Sequence, residues 1–216
     1  MIRLLLLTFL FLSEGAIGTT PTALPTTPTI LVLGDSLSAS YGLDRELGWV
    51  SLLEERLRQR GMPYRVINAS VSGETTAGGL TRLDSLLSQH QPEVLLIELG
   101  ANDGLRGLAF DIMRGNLIAL IRRSQAADSR ILLIAVPLPP NYGEAYTVGF
   151  QAVFRDVAEA EKVAFVPDLL AGIAEDRTLM QADGLHPTAE AQPRILGNVW
   201  PVLERLLPPS AGGTQQ

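Results

Sequence analysis

Short runs dominated by Val, Ile and Leu alternate with longer amphipathic segments along most of this chain, and that alternation restricts the folds open to it more than any other feature. Residues 29–33, 64–68, 94–99, 131–136 and 163–166 read as strands. Between them, 49–59, 76–88, 111–126 and 145–161 carry apolar residues at helical spacing, such as Leu80, Leu83 and Leu87. Residues 189–207 read as a closing helix, with interruptions expected near Pro193 and Pro201. Strands that are apolar on both faces need cover on both faces. The pattern therefore predicts an α/β fold, a three-layer α/β/α sandwich on a central parallel sheet of about five strands. Loops leaving the carboxyl ends of such strands share one edge of the sheet, and ligands bind there.

Composition narrows the chemistry. The 216 residues carry a formal net charge of -6, which lacks the basic footprint of a nucleic-acid binder. There is no cysteine, which removes disulfides, thiol nucleophiles and Cys-ligated metals. There are only two histidines, His90 and His186, so a mechanism needing a histidine base has two candidates.

The ends differ from the middle. Arg3, the apolar run 4–12 and the small residues Ala16 and Gly18 form a signal-peptide pattern, with Gly18 at the expected cleavage site and an uncleaved N-terminal anchor as the alternative reading. The run is shorter than the ~20 residues a membrane helix needs, so no stable span is expected in the mature chain. Residues 19–28 read as a Thr/Pro linker, 29–207 as one folded domain and 208–216 as a flexible tail.

Four polar segments fall where the strand ends converge or shortly before the last helix. They are Gly34-Asp35-Ser36-Leu37, Asn68 to Glu74, Gly100-Ala101-Asn102-Asp103-Gly104 and Asp183-Gly184-Leu185-His186-Pro187. A serine hydroxyl becomes a nucleophile when a base takes its proton, and His186 suits that role. Asp183, three residues upstream in a turn-rich stretch, is placed to orient the imidazole. A tetrahedral intermediate needs donors for its oxyanion. Backbone N–H groups of Ser36 and Gly73 and the side-chain amide of Asn102 are the candidates. Taken singly, each segment also reads as a plain turn or a helix start. His90, between two glutamines, reads as a surface residue. The joint order is what the separate turns do not predict.

That order, Gly-Asp-Ser-Leu, then Gly, then Gly-x-Asn-Asp, then Asp-x-x-His, resembles the SGNH or GDSL hydrolase superfamily over residues 29–207. Segments 68–70, 100–107, 139–143 and 180–187 are similar to its bacterial thioesterase I, lysophospholipase and arylesterase branch. The resemblance implies that Ser36 is the nucleophile, His186 the base and Asp183 its partner, with Ser36, Gly73 and Asn102 as the oxyanion hole. It also implies a flavodoxin-like sheet, a substrate loop at Pro139, Pro140, Asn141 and Tyr142, a structural role for Asp35, and no metal or other cofactor. Three positions depart from the branch: Ala101 and Ser40 stand where glycine is common, and Pro137 where arginine is frequent.

The expected activity is an exported, periplasmic or secreted, serine esterase acting on small ester or lysolipid substrates, and on acyl thioesters, through an acyl-serine intermediate. The rival readings are a carbohydrate O-acetyl esterase with the same triad and a non-enzymatic binding module holding a sugar or amino acid with Asn102 and Asp103. The absence of Gly-x-Ser-x-Gly argues against an α/β-hydrolase elbow. The absence of a Gly-rich loop ending in Lys-Ser or Lys-Thr argues against a nucleoside triphosphatase.

Overall fold

In the computed structural model, residues 27–208 are described. The expected signal segment, most of the Thr/Pro linker and all but the first residue of the tail lie outside them. The strands are β1 (Thr29–Gly34), β2 (Arg65–Asn68), β3 (Val94–Glu98), β4 (Arg130–Ile134) and β5 (Ala164–Val166). They form one parallel sheet in the order β2-β1-β3-β4-β5. The helices are α1 (Trp49–Gln59), α2 (Thr76–His90), α3 (Ala101–Leu105), α4 (Phe110–Ala126), α5 (Glu144–Glu161) and α6 (Gln192–Leu203).

Strand alternation divides the core into two layers. Ile30, Val32, Val94, Leu96, Leu132 and Ile134 point to one face, where Trp49, Leu53 and Leu57 of α1 and Ile195, Val199 and Leu203 of α6 cover them. Leu31, Leu33, Leu95, Ile97, Ile131 and Leu133 point to the other, under Leu83 of α2, Leu117 and Leu120 of α4, and Phe150 and Phe154 of α5. Helices of this length are marginal alone in water. Each fully buried large aliphatic side chain contributes roughly 1.5–3 kcal/mol, so packing on the sheet, rather than helix propensity, holds the outer layers.

Some boundaries differ from the sequence expectation. Pro193 lies in the first turn of α6, where its missing N–H costs no helical bond, so the helix is not interrupted there. Pro201 lies inside α6, and the chain tightens to a 3₁₀ turn at Glu204–Leu206 soon after. Residues 189–191 form a separate 3₁₀ turn, so the expected single helix is three pieces. Helix α3 was not expected at all. Gly100 takes φ 124°, a conformation open to glycine, and turns the chain sharply from β3 into it. A Cβ on Gly100 would lie 2.7 Å from the Phe154 ring, so the turn is also close-packed on α5.

Candidate active site

The strand order reverses between β1 and β3, and their carboxyl ends, Gly34 and Glu98, are register partners. Segments leaving β1, β2 and β3 converge above this point, the usual ligand crevice of an open parallel sheet.

Ser36 stands on the turn after β1. Asp35 Oδ1 accepts the Leu37 N–H at 3.1 Å, which closes the turn around the serine. Asn68 Nδ2 donates to the Ser38 carbonyl at 2.7 Å, tying the end of β2 to the same turn. The chain after β2 continues beside β1, with Val71 N–H donating to the Gly34 carbonyl at 3.0 Å, and reaches Gly73 at φ 76°. The Arg106 guanidinium donates to the Gly73 carbonyl at 2.8 Å and fixes that peptide from the α3 side.

His186 enters from the segment before α6. Its Nε2 lies 2.9 Å from Ser36 Oγ and its Nδ1 lies 2.7 Å from Asp183 Oδ2. Asp183 Oδ1 accepts the N–H groups of Leu185 at 2.9 Å and His186 at 3.0 Å, so the carboxylate folds its own loop around the histidine. Desolvation pushes the Asp183 carboxyl upward. The hydrogen bond from His186 and the two backbone N–H donors outweigh it and hold the group at about 2. An ionised carboxylate on Nδ1 keeps the proton there and leaves the Nε2 lone pair toward Ser36. Gln181 secures the loop: its N–H donates to the His186 carbonyl at 2.7 Å, and its amide donates to Tyr41 and Pro187 carbonyls, each at 2.9 Å. The Tyr41 ring sits 4.3 Å, centroid to centroid, from the imidazole.

Asn102 lies at the start of α3 and donates through Nδ2 to Asp35 Oδ2 at 2.9 Å. That bond uses one amide hydrogen and leaves the other for the cleft. Asp35 is buried, and desolvation raises its carboxyl to about 6 against the Leu37 and Asn102 hydrogen bonds, the His186 charge and a hydrogen bond with Glu98. Asp103 is also buried, and both its oxygens are occupied by Thr76, one by the N–H at 2.9 Å and one by the hydroxyl at 2.5 Å. It anchors α3 to the first residue of α2 and is not free to hold a sugar or amino acid.

Ser36, Gly73, Asn102 and His186 open together onto a cleft of about 650 Å³. Its walls are mainly apolar, with Leu105, Val136, Leu138, Leu170, Ala174 and Met180 prominent. Pro139 and Pro140 line it, whereas Asn141 and Tyr142 lie beyond its wall. Tyr142 instead donates to the Leu105 carbonyl at 3.1 Å and Tyr146 to the Gly104 carbonyl at 2.9 Å, which fastens the loop to α3. His90 ends α2 and does not line the cleft. Ala101 fits as a helical residue because Gly100 absorbs the turn. Ser40 keeps a left-handed φ of 60° despite its side chain. Pro137 presents apolar surface to the cleft. Among the described residues, no group of three or more His, Asp or Glu side chains is placed to hold a metal ion, and no helix is long and apolar enough to cross a membrane.

Sequence reasoning missed Glu98, Arg106 and Gln181. Glu98 alone left a signal, an acid closing an otherwise apolar strand. The other two act through carbonyls, which no residue pattern reveals.

A hydroxyl, an imidazole and a carboxylate linked in this way at the edge of a parallel sheet make a site suited to acyl transfer. Residues 32–193 match the GDSL-like Lipase/Acylhydrolase family, and the chain belongs to that family. Esterase TesA of Pseudomonas aeruginosa is 50% identical over 179 residues, 83% of this chain and 89% of that protein. An arylesterase of Vibrio mimicus is 43% identical over 77% of this chain and 83% of its own length. Thioesterase 1/protease 1/lysophospholipase L1 of Escherichia coli is 40% identical over 77% and 79%, respectively. A crystal structure of TesA, 50% identical, superposes with a TM-score of 0.82 over 83% of this chain and 99% of that one. The chain is an ester-hydrolysing enzyme on an α/β sandwich.

Proposed function

We propose that this enzyme hydrolyses carboxylic esters through an acyl-Ser36 intermediate, with His186 as general base and Asp183 as its orienting partner. The observation that carries this reading is the unbroken hydrogen-bonded chain from Asp183 through His186 to Ser36, whose hydroxyl faces an apolar cleft. In the first step Ser36 Oγ attacks the ester carbonyl while its proton passes to His186 Nε2. The oxyanion is held by the N–H groups of Ser36 and Gly73 and the Asn102 amide. The intermediate collapses as His186 returns the proton to the departing alcohol. Water, deprotonated by the same nitrogen, then attacks the acyl-serine and releases the acid.

An aryl alkylphosphonate tests the assignment, because the serine displaces its aryloxide and remains phosphonylated. Stoichiometric labelling of the peptide carrying Ser36 is expected, abolished in His186→Gln and retained in His90→Gln. An adduct elsewhere, or none, overturns the nucleophile assignment.

The cleft supports aryl esters and lysophospholipids as substrates, with thioesters sharing the same acyl side. The signal-like residues 1–18 support a periplasmic or secreted location, where coenzyme A thioesters are scarce, so ester substrates are favoured there. Each methylene moved from water to apolar surface is worth ~0.8 kcal/mol, about fourfold in rate. Across p-nitrophenyl esters from acetyl to palmitoyl, kcat/KM is expected to climb by up to about fourfold per methylene until the cleft is filled. A maximum at acetyl would instead support the carbohydrate O-acetyl esterase reading.

A further inference from the structure

Glu98 closes β3, and no step above uses it. It is 1% exposed, as is Asp35. Its Oε2 accepts the Asp35 N–H at 3.2 Å and the Ser38 hydroxyl at 2.7 Å, so one carboxyl holds the residues on both sides of Ser36. Its Oε1 is buried and takes no hydrogen bond from an N–H or hydroxyl donor among the described residues. The Asp35 carboxyl lies in hydrogen-bonding contact with it, and no ion pair among the described residues includes either group.

Two carboxyls in contact, buried and without a cation, do not both stay ionised, because each adds like-charge repulsion to the cost of desolvating the other. The hydrogen bonds decide where the shared proton sits. Asp35 accepts two amide donors, from Leu37 and Asn102, and both favour its ionised form. Glu98 accepts one amide N–H and one hydroxyl, and the hydroxyl serves a neutral acid equally well. An ionised Glu98 would also leave a charged oxygen, Oε1, buried without a donor.

We propose that Glu98 is a positioning residue, held as a neutral carboxylic acid against the Asp35 carboxylate, and that this pair aims the Asn102 amide and the Ser36 turn at the reacting carbonyl. The inference deepens the reading of Ser36 and Asn102 given above and rests on it. Burial, then the neighbouring Asp35 charge, push the Glu98 carboxyl well above the ordinary carboxylate range. The titratable groups facing the pair are the two carboxyls themselves and, from the segment before α6, His186. The sign follows: the neutral acid is the working form, so positioning is lost as pH rises and Glu98 ionises beside Asp35.

Infrared spectroscopy and kinetics test this together. The wild-type minus E98Q difference spectrum at neutral pH should contain a protonated-carboxyl C=O band that disappears at alkaline pH. E98A should lower kcat by on the order of 10²-fold, the loss typical of a misplaced reacting group, with KM changed far less. E98Q, which keeps a donor that does not titrate, should lose less than about tenfold and lack the alkaline fall in kcat expected of the wild type. Absence of the band, or an E98Q variant as impaired as E98A with the wild-type alkaline limb intact, overturns the proposal. If E98A does not fold, the band and the E98Q pH profile decide. Phosphonate labelling separates the two levels of inference: an adduct away from Ser36 sinks the site assignment, whereas a missing carboxyl band with Ser36 still labelled sinks only the role of Glu98.

Discussion

Replacing Ser36 by alanine is expected to lower ester turnover by on the order of 10⁵–10⁶-fold, the scale of loss when one member of a nucleophile–base unit is removed. The residual rate would come from the oxyanion donors and the cleft acting on water. The fold should survive unchanged, because Ser36 Oγ bonds only to His186. The turn is held by Asp35, Ser38 and Asn68, all left in place. A thermal unfolding midpoint close to wild type, measured on the same preparation, separates lost chemistry from lost structure. Adding His186→Ala to Ser36→Ala should cost almost nothing further, since a base without its nucleophile has no proton to move. A Ser36→Ala enzyme retaining more than about a tenth of wild-type turnover would remove Ser36 from the mechanism.

What the sequence disclosed and what it hid follow from the range of the interactions. The core strands were readable because burial on both faces demands runs such as Ile30–Leu33 and Val94–Ile97, and burial writes itself into residue type. The convergence of Ser36, Gly73 and Asn102 followed from placing their loops at the carboxyl edge of one parallel sheet, whereas the order β2-β1-β3-β4-β5, which seats β1 between β2 and β3, is written in no residue pattern. Helix α3 was hidden because Gly100 and Gly104 read as turn residues. The structure shows instead that they are small so that α3 can press on Phe150 and Phe154, a tertiary demand that local propensity does not report. The placement of Asn102 depends on that helix and on a bond to Asp35, 67 residues away. Tyr142 is a different case. The resemblance places it in the substrate loop, and the bond from its hydroxyl to the Leu105 carbonyl, which fastens that loop to α3, is one that no residue pattern announces.

Replacing Asn102 by alanine is expected to lower kcat by roughly 10²–10³-fold, the usual loss for one oxyanion donor, with a much smaller change in KM. The asymmetry follows from charge. The ester carbonyl in the bound substrate carries a partial charge, the tetrahedral intermediate a full one, and a fixed donor in a water-poor cleft favours the second far more. The bond from Asn102 Nδ2 to Asp35 Oδ2 adds a second consequence, since it restrains the amide and leaves its other hydrogen unused by Asp35 in a side chain that lines the cleft. Alanine removes both, so Asp35 is left with the Leu37 N–H as its remaining amide donor. Asn102→Asp should be worse than alanine. It places a carboxyl against that of Asp35, which burial already raises, and turns negative charge toward the developing oxyanion. The aspartate variant should therefore show lower kcat than the alanine variant at neutral pH, and lower thermal stability, because the added carboxylate meets the buried Asp35 carboxyl at hydrogen-bond distance. Steady-state kinetics on one p-nitrophenyl ester for both variants decide the matter. If both change KM alone, Asn102 is a contact to ground-state substrate, and the oxyanion is held by the backbone N–H groups of Ser36 and Gly73 without it.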